Sequence, residues 1–406
     1  MKRARTTIGE LVVSGLAEIQ TGPFGTQLHA KEYVPEGTPV INVRNIGYGC
    51  IRPEKLEFIA DETVNRLSAH VLEKNDVVFG RKGAVDRHLF VDEGQLKWVQ
   101  GSDCIRLRFF GDTVVPRYVS YCLLTEAHRE WMIRNSSSKA TMASLNHDII
   151  KRIELPLLPV NEQQRIVSLL SAYDDLIENN RRRMALLEES ARLLYREWFV
   201  SLHFPGHEHT RIVGRVPEGW ERKTLGDLCT DVRDTAMPEH LEPDTPYIGL
   251  EHMPRRSIAL SEWGYAEEVT STKHRFRAGE ILFGKIRPYF HKVGIAFVDG
   301  VASSDAIVIR PLAEELCCLV LMVVSSDPFV ASTAQGMREG SKMPRADWKL
   351  MKQYRVSVPP HGLLSSFNTT IQPIVDQLRT LISQSHKLRL ARDLFLPRLM
   401  NGEIAV

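Results

Sequence analysis

An excess of charge of one sign is missing from this sequence: 52 Lys and Arg stand against 50 Asp and Glu, a net of +2 over 406 residues. That balance excludes a binder that works by bulk positive charge, while leaving room for local basic surfaces, because net charge does not report distribution. Long apolar runs are also missing. The run that contains Cys317–Val324 falls far short of the roughly 20 residues a membrane-spanning helix needs, and the N-terminal residues lead into no secretory-type apolar stretch. A cytoplasmic protein is expected. Cysteine is scarce: there are six, none spaced as Cys-x-x-Cys, and Cys317 and Cys318 sit inside an apolar segment. Buried reduced thiols are expected, rather than disulfides or zinc. His203, His207 and His209 cluster beside Pro205-Gly206, but no metal site is expected there.

Catalytic signatures are missing too. The sequence has no Gly-x-x-x-x-Gly-Lys-Ser/Thr phosphate loop, no Gly-x-Gly-x-x-Gly, no His-Glu-x-x-His, no Gly-x-Ser-x-Gly and no Asn-Pro-Pro-Tyr-like amino-methylation motif. No catalytic residue is assigned, and no cofactor is expected in this chain.

What is present is an internal repeat. Thr7-Ile8-Gly9-Glu10-Leu11 returns as Thr224-Leu225-Gly226-Asp227-Leu228, and Thr38-Pro39-Val40-Ile41 as Thr245-Pro246-Tyr247-Ile248. Val78-Phe79-Gly80-Arg81 pairs with Leu282-Phe283-Gly284-Lys285, Ser102-Asp103-Cys104-Ile105 with Ser304-Asp305-Ala306-Ile307, and Leu158-Pro159 with Pro359-Pro360. The five matches keep one order, and their offset shrinks slowly from 217 to 201. A period this long means two domain-sized copies and excludes a solenoid.

Each copy has two parts. The first carries short runs rich in Val, Ile and Phe, such as Pro39–Val43, Val77–Phe79 and Cys104–Phe110, punctuated by Gly, Pro and Asn, with a helical stretch over 117–133. This reads as α+β. The second is a long helix, for which Asn161 is the expected N-cap. Ile166, Leu170, Tyr173, Ile177, Asn180, Met184, Leu187, Ala191, Leu194 and Trp198 follow in alternating steps of 4 and 3, the heptad period of a coiled coil. Copy two repeats the seam with Phe367, Ile371, Ile374, Leu378, Leu381, Ser385, Leu388 and Phe395, and Arg392 fills one slot. Pro373 is expected to kink this stretch or to mark its start. Two matched seams in one chain pack most simply against each other, as an antiparallel pair with an α+β domain at either end. The 39 residues from Asn161 to Phe199 then span roughly 58 Å. Asn180 and Ser385 would fix the register.

The expected fold is α+β: two α/β domains separated by two long helices that form an antiparallel coiled coil, with an internal pseudo-two-fold repeat. The first domain covers 1–155, the central helix 156–200, a linker 201–222, the second domain 223–358 and the C-terminal helix 359–406.

A duplicated domain pair without catalytic motifs reads as a binding device. Basic residues beside glycines and aromatics suggest the ligand. Arg81, Lys82 and Arg87 lie in one segment, and Lys285, Arg287, Tyr289, His291 and Lys292 lie in its counterpart. Such residues hold phosphates or reach base edges. Arg44 and Asn45 are further DNA-binding candidates. So are Lys139, Arg338 and Lys342, in two polar stretches that precede the exits toward the long helices.

The run Leu155-Pro156-Leu157-Leu158-Pro159-Val160-Asn161-Glu162-Gln163-Gln164-Arg165-Ile166-Val167 resembles the central region of type I restriction-modification specificity subunits. The closing segment from Leu390 to Ile404 and the phrase Thr21-Gly22-Pro23-Phe24-Gly25-Thr26 resemble others of that family. The resemblance implies two target recognition domains, each reading half of a split, asymmetric site in double-stranded DNA. It implies helices that act as a spacer and dock two modification subunits, with restriction subunits completing the nuclease. S-adenosylmethionine, ATP and Mg²⁺ would belong to those partners. A self-contained DNA methyltransferase or nuclease with divergent motifs, and a coiled-coil scaffold that binds only protein, are the alternative readings.

Overall fold

The structure is a computed structural model that describes residues 5–24, 27–136, 143–214, 216–335 and 344–404. The chain divides into two compact units, one of Met1–Asp175 with Leu388–Val406, the other of Leu176–Lys387. Both long helices therefore contribute to both units.

In the first unit, Arg5–Thr7 pairs antiparallel with Glu154–Pro156, tying the start of the α+β part to its exit. Glu221–Thr224 pairs in the same way with Arg355–Val358 in the second unit. The Thr-x-x-acidic phrases cap the turn that follows. The Thr7 hydroxyl accepts from Glu10 N while the Glu10 carboxylate accepts from Thr7 N, and Asp227 accepts from Thr224 N at 2.7 Å. The glycine inside each phrase is there for close approach. A Cβ on Gly9 would lie 3.0 Å from Lys151 O, and one on Gly226 would lie 3.2 Å from Lys352 Cβ.

The main sheet of the first unit has the order Ala17–Thr21, Cys104–Phe109, Val77–Gly80, His88–Phe90. The second unit repeats it as Cys229–Val232, Ala306–Pro311, Ile281–Gly284, Val293–Ala296, and adds Ala259–Leu260 at the edge. Even the register repeats: Phe79 lies opposite both Ile105 and His88, and Phe283 lies opposite both Ile307 and Val293. A smaller sheet in each unit holds one parallel pair, Thr38–Ile41 with Val99–Gln100 and Pro246–Ile248 with Gly300–Ala302. The helical stretch predicted over 117–133 is two helices, Pro116–Leu124 and Glu126–Asn135, broken at Thr125. Its counterpart Cys317–Val324 is an apolar core helix, in which Cys318 through Val324 are no more than 3% exposed. Among the described residues no single helix is long and apolar enough to cross a membrane.

The first long helix runs Val160–Tyr195 and closes in a wide turn over Arg196–Val200. Asn161 is not its cap. It lies inside the first turn, whose free N–H groups at Glu162 and Gln163 donate to Pro159 O. Gln163, fully buried, instead anchors the neighbouring chain: its Oε1 accepts from Val115 N, and its Nε2 donates to Thr113 O and Leu158 O. The second long helix runs His361–Asn401 and passes through Pro373 without a break. Pro373 thus marks neither a start nor an interruption. The proline is exposed, so the carbonyl it leaves unbonded is open to water.

The seam is the most regular feature of either helix. Ile166, Leu170, Asn180, Ala191 and Trp198 are buried, and Tyr173, Ile177, Met184, Leu187 and Leu194 are partly buried. On the other helix Phe367, Ile371, Leu378, Leu381 and Ser385 are buried, with Ile374, Leu388, Arg392 and Phe395 partly so. The helices run antiparallel. Within the first unit, Tyr173 meets the Phe395 ring at 6.1 Å and Asp174 pairs with Arg392 at 2.8 Å. Within the second, Asn180 Nδ2 donates to Ser385 Oγ at 3.3 Å and Trp198 meets Phe367 at 5.6 Å.

Candidate nucleic-acid interface

In both units the same strand ends at a glycine and turns into the same kind of loop. After Val77–Gly80, Arg81 N donates to Asp103 O at 2.8 Å, and Arg81 O accepts from Leu145 N at 2.8 Å. After Ile281–Gly284, Lys285 N donates to Asp305 O at 2.7 Å, and Lys285 O accepts from Ala346 N at 2.8 Å. Further along, Gly83 N donates to Ala143 O, and Arg287 N donates to Pro344 O. Each loop is thus sewn between the start of the neighbouring sheet strand, Cys104–Phe109 or Ala306–Pro311, and the segment that leads toward a long helix.

In the first unit Arg81 lies over the Phe24 ring at 5.4 Å and Arg87 over Tyr48 at 5.2 Å. Neither has a carboxylate partner among the described residues. Lys82 faces Asp103 at 3.2 Å, and Arg44 pairs with Glu57 at 2.6 Å. Phe24 reaches this place because Gly22 passes hard against Gly101, where a Cβ would fall 1.9 Å from the Gly101 carbonyl oxygen. Thr21 Oγ1 and His147 Nε2, 2.7 Å apart, close the same corner, and burial pushes the imidazole below its ordinary value.

In the second unit Lys285 Nζ donates to Ser304 O at 2.9 Å. Partial burial lowers its affinity for the proton, opposed by Asp231 and Asp305. Arg287 and Tyr289 are exposed. Arg345 pairs with Asp305 at 3.4 Å, and Arg233 with Asp231 at 2.8 Å.

Several sequence candidates are placed elsewhere. Asn45 is fully buried: its amide donates to Arg52 O and Glu54 O while its carbonyl accepts from Asn42 N, so it holds a turn and presents nothing. His291 is 6% exposed, with Nε2 bound to Ser325 O at 2.8 Å, so it anchors its loop from inside. Lys292 Nζ donates to Leu250 O. Lys139, Arg338 and Lys342 lie outside the described residues. Four groups went unread in the sequence: Phe24, Tyr48, Arg255 and Phe290. The repeat holds the signal for two of them, since Tyr48 and Arg255 each stand three residues past a matched short helix, Val43–Asn45 and Leu250–His252.

Comparison with known proteins bears on this pair of frames. A family model described as the type I restriction modification DNA specificity domain matches residues 11–189. The type I restriction enzyme MjaIX specificity subunit of Methanocaldococcus jannaschii is 22% identical over 366 residues, covering 86% of this chain and 82% of its own length. Residues 11–189 thus match the DNA specificity domain of type I restriction-modification systems, and most of the chain is similar to type I specificity subunits. The HindI specificity subunit of Haemophilus influenzae is 20% identical over 406 residues, covering 82% of this chain and 87% of its own. The crystal structure of the S subunit of a type I restriction-modification system from M. genitalium shares the fold, with a TM-score of 0.58 and 15% identity over 98% of this chain and 96% of that one. As a specificity subunit the chain has a non-catalytic role, that of DNA recognition within a restriction-modification complex.

Proposed function

We propose that the chain reads a split, asymmetric site in double-stranded DNA, one half-site per unit, through the loops that follow Gly80 and Gly284. The observation that supports this reading is the pairing of one backbone frame with two different sets of side chains, of which Lys82, Arg287 and Tyr289 are exposed and Arg81, Arg87 and Lys285 half-buried. The same hydrogen bonds hold both loops, yet Arg81, Lys82 and Arg87 occupy one, and Lys285, Arg287 and Tyr289 the other. A shared frame delivers side chains to equivalent depths in a groove, and unlike side chains select unlike bases.

In this reading the long helices are the spacer and the docking surface for two modification subunits, which restriction subunits join. Leu169 in the first unit, and Leu176, Leu186 and Leu193 in the second, lie 36–69% exposed on the first long helix, an apolar supply for such contacts. S-adenosylmethionine, ATP and Mg²⁺ belong to the partners, and the complex works in the cytoplasm. Co-expression with a modification subunit in a host free of other methylation, followed by sequencing of methylated bases, tests the reading. A split motif with unlike halves is expected. A stable complex that methylates nothing, or one that yields a single contiguous or palindromic motif, overturns it.

A further inference from the structure

We propose that Arg255 is a base-reading residue of the second unit, which presents its guanidinium edge to a guanine, and that Phe290 is its positioning residue. The inference rests on the DNA-reading function above. Arg255 is exposed and lies 4.0 Å over the Phe290 ring, which Arg287 also approaches at 5.8 Å. Tyr289, 56% exposed, packs against that ring with its plane at 76°. Arg255 has no carboxylate partner among the described residues. Its neighbour Arg256 does, pairing with Asp327 at 2.8 Å. A guanidinium laid on an aromatic face has its plane fixed while its N–H edge stays free, which is the geometry for a bidentate bond to O6 and N7 of guanine.

The support beneath this pair is rigid. Arg256 N donates to His291 O at 2.9 Å, joining the turn that carries Arg255 to the loop that carries Phe290. Arg256, Arg287 and His291 have φ of 55°, 48° and 55°, a left-handed conformation that disfavours residues with side chains. Backbone held this way gathers where a side chain must be aimed.

The first unit builds the same device with its parts exchanged. Tyr48 occupies the position of Arg255 and supplies the ring, over which lie Arg129 at 4.2 Å, already paired with Asp86, and Arg87 of the facing loop at 5.2 Å, with no carboxylate partner among the described residues. Gly49, with φ of 72°, takes the place of Arg256 and donates to His88 O at 2.8 Å. One point of the frame thus carries a guanidinium on a ring in both units, assembled from unlike residues.

The test uses the full chain in complex with a modification subunit, a random DNA library, and sequencing of methylated sites. Arg255→Lys keeps the charge and loses the planar fork, and Phe290→Leu keeps bulk and loses the ring. Each is expected to lower the preference for one guanine in one half-site by roughly tenfold or more, while the other half-site stays as in the wild type. Arg87→Lys is expected to alter that other half-site. Thermal melts of Arg255→Lys should match the wild type, because the side chain is exposed. An unchanged motif in Arg255→Lys and Arg255→Ala overturns the inference. So does a uniform loss of affinity with a shallower salt dependence and no change of motif, the mark of a phosphate contact. A wild-type complex that yields no split motif overturns the DNA-reading function itself, and is told apart by failing before any substitution is made.

Discussion

At the centre of the main sheet the two units place a phenylalanine opposite different partners: Phe79 faces His88 in the first, Phe283 faces Val293 in the second. His88 is buried and its Nε2 bonds Ser120 Oγ at 2.8 Å. The second unit meets the same need with hydrocarbon. The contrast recurs on the helices. Asp174 in the first unit bonds Arg392 at 2.8 Å, Arg117 at 3.1 Å and the Tyr121 hydroxyl at 2.6 Å. Offset by the repeat, the equivalent helix positions of the second unit are Val375 and Ala191, both buried and apolar. One backbone has therefore been filled once with polar pairs and once with apolar ones. The frame depends on the strand register and the glycine contacts that both units share, and the polar pairs are one of two ways to complete it.

The largest consequence is a greater acid sensitivity in the first unit: burial lowers the His291 imidazole of the second unit too, but there its bond to Ser325 O and the Asp327 charge oppose the shift. Burial, reinforced by the nearby Arg117 charge, pushes the His88 imidazole down to about 3 from an ordinary 6.5. A folded value below the unfolded one means that His88 contributes its full share above pH 6.5, and that this share is lost as the pH falls from 6.5 toward 3. At about 1.4 kcal/mol per unit, the window is worth on the order of a few kcal/mol. Amide exchange followed by mass spectrometry should show protection around Val77–Phe90 falling with pH ahead of protection around Ile281–Ala296. The His88→Val, Ser120→Ala double variant should erase most of that difference. Equal acid sensitivity of the two sheets in the wild type would count against this account.

The helix cluster comes next. Removing one partner strands the others in a site where the side chains are only 22–27% exposed, so Asp174→Ala should destabilise the first unit by about 2 kcal/mol. Asp174→Val with Arg392→Ala puts the side chains of Val375 and Ala191 at this place and should recover part of that loss, the part due to the stranded Arg392, while Arg117 and the Tyr121 hydroxyl stay without their partner. Urea titrations of the two variants decide it. A double variant as unstable as the single one would show that the polar cluster is needed for the fold of this unit.

What the sequence disclosed follows from what repeats in it. The heptad steps place every seam residue from Ile166 to Trp198 on one face, because helical geometry converts spacing directly into direction. The two strand runs around Phe79 and Phe283 were legible for the same reason. Asn161 and Pro373 misled because local preference was outweighed: Pro159 O closes the first turn two residues early, and the seam on both sides of Pro373 carries the helix through it. In the loops there is no period to read. Asn45 and His291 look like ligand-facing polar residues but spend their polar atoms on nearby backbone, and Arg255 finds its ring 35 residues along the chain. Arg255 was discoverable only by aligning the two copies and asking what stands at the place of Tyr48.

The smallest expected effect separates the two loops by how free their cations are. Arg81 lies on Phe24 with no carboxylate partner among the described residues, whereas Lys285 already donates to Ser304 O and is partly desolvated. A cation held by its own backbone has less to give a phosphate, because part of its hydrogen-bonding capacity is spent before DNA arrives. Arg81→Ala should therefore weaken binding of the complex to DNA by about 1 kcal/mol, roughly fivefold, and Lys285→Ala by less. If each side chain meets a phosphate, the slope of log affinity against log salt should also fall by about 1 for Arg81→Ala. Filter-binding or anisotropy titrations across a salt series measure both quantities. Equal losses would mean that Lys285 gives up its Ser304 bond on binding. A greater loss for Lys285→Ala would reverse the ranking of the two loops and place the stronger phosphate contact in the second unit.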